Sequence, residues 1–324
     1  MHATAGLVAF TLGCLGTLLA TPLVKKIAAW AGAMDRPNAR KVHKVPTPLW
    51  GGLGVFVSLV AAVLLTLKLF PAEASALTPR HWSGLTGMLL GSLMIVLTGL
   101  WDDRFNMPAK VKLICQIATA SVMCYFGIRI EFVSGFSTDY WFLSDWQEWV
   151  FTIFWIVGIT NAINLLDGLD GLVAGVAFGS SLVFGVVSAI HGQWLVMLVM
   201  AAIAGCTLGF LRYNFNPATI FMGDTGSLLL GLNFAGWSIL GTLKTTLSLT
   251  FAIPILVMAV PIFDTAFAII RRGLARRPIF SPDKEHLHHR LLGMGMTQRQ
   301  AVVLIYGINM MFGLAGIALA YVAH

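Results

Sequence analysis

Charge is scarce in this sequence. Only 11% of its 324 residues are Asp, Glu, Lys or Arg, against roughly 25% in a soluble domain, and no polar stretch is long enough to fold by itself. With 57% hydrophobic residues and a mean hydropathy of +0.82, a water-soluble globule is excluded. Cysteine is sparse too. Cys14, Cys115, Cys124 and Cys206 sit in or beside apolar runs without CxxC spacing, which removes a redox or zinc-ribbon motif and leaves small packing residues. Neither GxxxxGK[ST] nor GxGxxG occurs, so the phosphate cradles of soluble folds are absent. No basic and aromatic nucleic-acid module is present, and the net charge of +7 needs another explanation.

Apolar runs take the place of these features. A span of the hydrocarbon core needs about 20 residues, and runs of that order lie near 4–24, 49–70, 84–101, 111–127, 149–165, 171–190, 194–211, 226–243, 247–270 and 301–322. They predict an all-α polytopic membrane protein, a single domain over 1–324 with about ten transmembrane helices. The opening MHATA has no Lys or Arg, so the first run is expected to be a retained span and not a secretory signal. Connections one, three, five, seven and nine, with the adjoining helix ends, hold 17 of the 21 Lys and Arg. By the positive-inside rule these are cytoplasmic and both termini lie outside. The basic excess is therefore a topology signal, Arg271, Arg272, Arg276 and Arg277 included, with some attraction to anionic lipid.

Five polar clusters share the expected cytoplasmic side. An ionisable group within a membrane costs about 2.5–3.5 kcal/mol on insertion scales and turns to the bundle interior or to water, so several together call for a cation or a charged ligand. In WDDR, Asp102 and Asp103 repel, and one must be balanced or have its pKa raised. That suits a base for proton abstraction, although a solvated turn neutralised by Arg104 satisfies the same letters. In NAINLLDGLDGL, Asn161, Asn164, Asp167 and Asp170 follow an i, i+3 spacing, but Gly168 and Gly171, each costing about 1 kcal/mol in a helix, predict a turn near 167–171. Two carboxylates and an amide oxygen suit Mg²⁺; a helix cap accounts for either aspartate alone.

FMGDTGS sets Asp224 between glycines ahead of a span, leaving room for a phosphate at a helix N-terminus. Phe221 can stack on a flat base or simply pack. His286, His288, His289 and Arg290 offer donors to phosphate oxygens without the HExxH or Cys partner of a zinc site. Lys112 either neutralises a phosphate or extends to the interface, and Asp264 of PIFDT has no assigned role. Together these are the parts of a metal-dependent phosphoryl transfer involving a lipid. The rival class is a cation-coupled transporter, which needs its acids at the midplane and not at span ends.

The pieces DRPNARKVHKVPTPLWGG (35–52), GLWDD (99–103), NAINLLDGLDGL (161–172), FMGDTGS (221–227), PIFDT (261–265) and HLHHRLL (286–292), in this order, resemble the polyprenyl-phosphate N-acetylhexosamine-1-phosphate transferases. The resemblance implies attack of undecaprenyl phosphate on the β-phosphate of a UDP-N-acetylhexosamine, releasing UMP. It further implies that Asp224 and Asn164 hold Mg²⁺, with Mn²⁺ able to substitute, that Asp102 is the base and Asp103 its partner, and that Lys112 and the catalytic His289 meet phosphates. Phe221 would stack on uracil, while Lys44, Asp167, Asp170, His286, His288 and Arg290 would contact substrate. Its setting would be the bacterial cytoplasmic membrane, with membrane lipids as neighbours, a homodimer left open and no nucleic acid. Leu287 separates His286 from His288, which resembles the GlcNAc-1-phosphate branch; the phospho-MurNAc-pentapeptide branch, with three consecutive histidines, is the alternative.

Overall fold

The computed structural model describes residues 2–37, 45–134, 140–242, 252–275 and 286–322. The elements run α1 (His2–Ala31), β1 (Met34–Asp35), β2 (Thr47–Pro48), α2 (Gly51–Leu69), α3 (Pro71–Ser75), α4 (Pro79–Phe105), α5 (Ala109–Tyr125), β3 (Phe132–Ser134) and β4 (Tyr140–Phe142). Then follow α6 (Asp145–Leu166), α7 (Leu172–Ile190), α8 (Trp194–Asn214), α9 (Gly223–Thr242), α10 (Ala252–Val257), α11 (Ala259–Leu274), α12 (Leu287–Gly293) and α13 (Gln298–Val322). The two strand pairs are antiparallel ribbons, Met34 opposite Pro48 and Phe132 opposite Phe142. Strands this short carry no alternating pattern, so the sequence does not announce them.

Among the described residues, seven helices are long and apolar enough to cross a membrane: α1, α2, α4, α6, α7, α8 and α13. The chain is thus an all-α membrane protein. The other three expected spans differ. The fourth is a helix of 17 residues, α5, and the eighth, α9, carries Ser227, Asn233 and Ser238 along its length. The run 247–270 is not continuous: its start lies outside the described residues and the rest breaks at Met258 between α10 and α11.

Proline explains the break and shows how lipid-embedded backbone is repaired. Pro261 has no N–H for the Val257 carbonyl four residues back, and Ser180 Oγ of α7 donates to that carbonyl at 2.8 Å. In α1, Pro22 likewise frees the Leu18 carbonyl, which accepts from Tyr213 Oη of α8 at 3.0 Å. An unsatisfied carbonyl in hydrocarbon costs several kcal/mol, so each hydroxyl both heals one helix and fixes another beside it.

α9 is the central element, packed on α2, α4 and α6, with Leu228, Leu230, Phe234 and Trp237 almost wholly buried. Its first turn is approached very closely: a Cβ at Gly52 would overlap the backbone of Gly226, and one at Gly99 the backbone of Thr225. Deeper, Asn233 Nδ2 donates to Ser92 Oγ at 3.1 Å and Trp155 Nε1 to Ser238 Oγ at 3.0 Å, the interhelical bonds expected where lipid offers no alternative partner. The α6–α7 turn falls at 167–171 as the glycines predict, with Gly171 at φ +80°. The C-terminal ends of α1, α4, α6 and α8 meet the N-terminal ends of α2, α5, α7, α9 and α13 at one end of the bundle, where the polar clusters converge.

Candidate active site

FMGDTGS becomes the entry to α9, and two other motifs hold it. Phe221 N–H donates to the Pro48 carbonyl at 2.9 Å, while Gly51 and Gly52 N–H donate to the carbonyls of Phe221 and Met222 at 3.0 Å. Asp103 then caps the helix from α4. Its Oδ1 accepts Asp224 N–H at 2.8 Å, and its Oδ2 accepts Thr225 N–H at 3.2 Å and Thr225 Oγ1–H at 2.6 Å. A helix start exposes N–H groups that need such acceptors. With both oxygens engaged, Asp103 positions Asp224.

Asp102 faces elsewhere. Its Oδ1 accepts Met107 N–H at 2.6 Å, and its Oδ2 lies 2.5 Å from Lys112 Nζ. The same ammonium pairs with Asp224 Oδ2, so Lys112, not Arg104, neutralises this end of WDDR. Arg104 turns away and its Nε donates to the Ala31 carbonyl at 2.7 Å, closing the end of α1.

Asn164 Nδ2 donates to Asp224 Oδ1 at 2.7 Å and to Ser227 Oγ at 2.9 Å, and its amide oxygen has no hydrogen bond among the described residues. A carboxylate beside an uncommitted amide oxygen fits Mg²⁺, which takes few protein oxygens and completes its shell with water and phosphate. No group of three His, Cys, Asp or Glu able to hold a metal occurs among the described residues. The fit is therefore to a metal shared with a ligand and not to an all-protein cage.

The DGLDG turn supplies a different kind of acid. The Asp167 carboxyl has no hydrogen bond or ion pair among the described residues, its backbone N–H alone donating to the Asn164 carbonyl at 3.2 Å. Burial, followed by the charges of Asp224, Asp103 and Asp170, raises its carboxyl well above the ordinary value. Asp170 is committed, its Oδ2 accepting from Asn216 Nδ2 and Ala218 N–H, both at 3.0 Å.

Asp264 of α11 has a task after all: its Oδ1 accepts Leu287 N–H at 2.8 Å and its Oδ2 lies 2.8 Å from His286 Nδ1. It caps α12 and clamps the first histidine. His286 lies parallel to His288 with ring centroids 6.0 Å apart, and His288 is buried with its ring against Gly168. Burial, then the charge of His289, pulls His288 down to about 4, so it is neutral at pH 7. Its ring in turn stands 4.2 Å from that of His289.

These elements enclose an open cleft of about 380 Å³. Asp102, Asp103, Asp167 and Asp170 line it, as do Phe221, Asp224 and His289. Lys112 and Asn164 reach Asp224 from behind the wall. His286 and His288 buttress α12, Arg290 is exposed on it, and Lys44 lies outside the described residues. Sequence reasoning missed Asp35, Asn106, Asn214 and Gln298, which also line the cleft. Asp35 opens the DRPN stretch and could have been taken with it. Asn214 bonds Gly171 N–H at 3.1 Å and the Ile220 carbonyl at 3.0 Å, a tertiary latch with no local signature.

Residues 85–242 match the family model described as Glycosyl transferase family 4. A Bacillus subtilis (strain 168) protein named probable undecaprenyl-phosphate N-acetylglucosaminyl 1-phosphate transferase is 42% identical over 313 residues, 96% of this chain and 84% of that protein. The decaprenyl-phosphate N-acetylglucosaminephosphotransferase of Mycobacterium tuberculosis (strain H37Rv) is 36% identical, covering 90% of this chain and 76% of that one. The undecaprenyl-phosphate alpha-N-acetylglucosaminyl 1-phosphate transferase of Escherichia coli (strain K12) is 28% identical, with 90% and 77% covered. The matched segment runs from α4 to α9 and so contains most of the cleft's acids, and the similarity extends over nearly the whole length: this chain belongs to glycosyl transferase family 4.

Proposed function

We propose that the protein transfers N-acetylglucosamine 1-phosphate from UDP-GlcNAc to undecaprenyl phosphate and releases UMP, the first membrane step of a cell-envelope glycan pathway. The observation that carries this reading is the junction of Asp102, Lys112 and Asp224 at the entry to α9, in a cleft that Asp35, Asp103, Asp167 and Asp170 also line. An acceptor phosphate oxygen attacks the β-phosphorus of the donor; the new P–O bond forms as the bond to the UMP oxygen breaks.

A phosphate monoester has its second pKa near 6, so at neutral pH it is mostly dianionic and Asp102 has at most a residual proton to take. The greater problem is two anions meeting, because such transfers depend on positioning and charge neutralisation. Lys112, held between two carboxylates, supplies a mobile positive charge to the phosphates. His289 adds a donor from the opposite side of the turn, Asp167 in its protonated form donates to a substrate oxygen, and Phe221 stacks on uracil. Asp224 and Asn164 would hold Mg²⁺, or Mn²⁺ in its place, which when bound neutralises pyrophosphate charge.

The proposal includes ten crossings, both termini outside, and the cleft at the cytoplasmic face of the bacterial inner membrane. UDP-MurNAc-pentapeptide is the alternative donor, but Leu287 interrupts the histidine run, and the relatives are named for GlcNAc transfer. A cation-coupled transporter is not favoured, because the acids gather at one end of the bundle.

Purified protein supplied with undecaprenyl phosphate and, in parallel, UDP-GlcNAc, UDP-GalNAc and UDP-MurNAc-pentapeptide is expected to yield a lipid-linked product on thin-layer chromatography from UDP-GlcNAc. Chelation should stop the reaction and Mg²⁺ restore it. No product from any donor would overturn the reading; product from the pentapeptide donor alone would reassign the substrate.

A further inference from the structure

Gln298, the first residue of α13, lines the cleft together with Phe221 and Asp170. Its Nε2 is buried and has no hydrogen-bond partner among the described residues. Its Oε1 is taken by Asn216 Nδ2 at 2.8 Å, and the same nitrogen donates to Asp170 Oδ2 at 3.0 Å.

The chemistry of these groups fixes which way the glutamine faces. An ionised carboxylate only accepts, so the end of Asn216 toward Asp170 is its NH₂, and the second hydrogen of that NH₂ points to Gln298. Gln298 must answer with its oxygen, which leaves its own NH₂ as the buried donor still to be satisfied at the edge of the cleft. Ala218 N–H also bonds Asp170 Oδ2 at 3.0 Å, and Arg299 Nε holds the Asn216 carbonyl at 3.0 Å, so reversing the amide would break a connected set of bonds. A buried donor without a partner is costly, and a fixed one in a binding cleft selects for an acceptor on its ligand.

This inference rests on the UDP-sugar reading above. We propose that Gln298 is a specificity-determining residue whose Nε2 donates to the O4 carbonyl of the donor's uracil. Lys112, on α5, reaches Asp102 and Asp224 from behind the cleft lining, whereas Gln298, on α13, is tied through Asn216 of the 215–218 loop to Asp170. A nucleotide with its phosphates at Lys112 turns the far edge of its base, where O4 lies, toward Gln298. Cytosine carries an amino group at that position, and donor then faces donor, which leaves both groups unpaired.

The test uses the full-length protein in detergent, with labelled UMP displaced by unlabelled UMP or CMP, beside transfer kinetics with UDP-GlcNAc. The wild type is expected to prefer UMP over CMP by at least about tenfold, and Gln298→Ala to bring the two within about threefold, the scale set by one hydrogen bond. The same variant should raise KM for UDP-GlcNAc about fivefold with kcat within about twofold. Gln298→Glu keeps an oxygen on Asn216 but places an acceptor outward, and should move the preference toward CMP; it decides the matter if the alanine variant fails to fold. An unchanged UMP-to-CMP ratio in the folded variants overturns this role and leaves the transfer reading standing. A wild type that selects UMP through Gln298 yet transfers nothing overturns the transfer reading instead.

Discussion

Asp102 and Asp103 are adjacent in sequence and face different partners. Asp103→Asn would turn an amide NH₂ toward the N–H groups of Asp224 or Thr225, donor against donor, at the helix start it now caps. Losing hydrogen bonds to a charged acceptor costs about 1.5–3 kcal/mol each, so the variant should unfold at lower temperature and lose more than tenfold in kcat/KM, with the shape of the pH–rate profile kept. Asp102→Asn should instead alter the acid limb of that profile; identical profiles for the two would refute the division of labour. His288 offers a second test. Its folded value of about 4 lies below the ordinary 6.5, so between those values the unfolded chain binds a proton that the folded chain refuses. Its contribution is fully present above about pH 6.5 and lost as pH falls toward 4. Thermal unfolding across that range should show a shallower decline in His288→Gln than in the wild type, and equal slopes would show that His288 is not the group responsible. At this scale the sequence named most of the acids but not their tasks, because Asp103 and Asp264 act on backbone N–H groups of remote helices.

Helices in this chain are mended by one another. Pro22 and Pro261 are visible in the sequence as interruptions, and each predicts a carbonyl without a donor. The donors are not visible, because Tyr213 and Ser180 lie on other helices and become neighbours of Leu18 and Val257 only after packing. Tyr213→Phe and Ser180→Ala should each cost about 1–2 kcal/mol in detergent unfolding, the range for an orphaned buried acceptor tempered by partners found in the unfolded membrane state. No change in either variant would mean that a displaced water or a shifted turn satisfies the carbonyl. The same limit explains the ninth expected span. Hydropathy sees a continuous run at 247–270, whereas its described part, from residue 252, forms two helices, and Asp264 near the break uses its carboxylate to start α12.

The gathering of clusters was legible from charge alternation alone, since alternate connections of a bundle necessarily share an end. The bridging of Asp102 and Asp224 by Lys112, and the orientation of Gln298, were not, because they depend on side chains from helices far apart in the chain. Parity links the fold to the membrane. α1 delivers Asp35 to the cleft and α13 begins there with Gln298, so His2 and Val322 end away from it. An even number of crossings follows if each long helix spans; seven is odd, so at least one of α5, α9 and the α10–α11 pair must cross as well, and all three together make ten. Cysteines placed one at a time in a background without the native four test this directly. Ala72→Cys and Ser144→Cys occupy exposed positions at the end away from the cleft, Ala109→Cys and Thr297→Cys exposed positions at the cleft end. In intact cells a membrane-impermeant maleimide should label the first pair, and the second pair only after permeabilisation. Labelling of residues 109 and 144 from the same side would mean that α5 does not cross, and the reverse pattern would put the cleft outside the cell, away from any cytoplasmic nucleotide sugar.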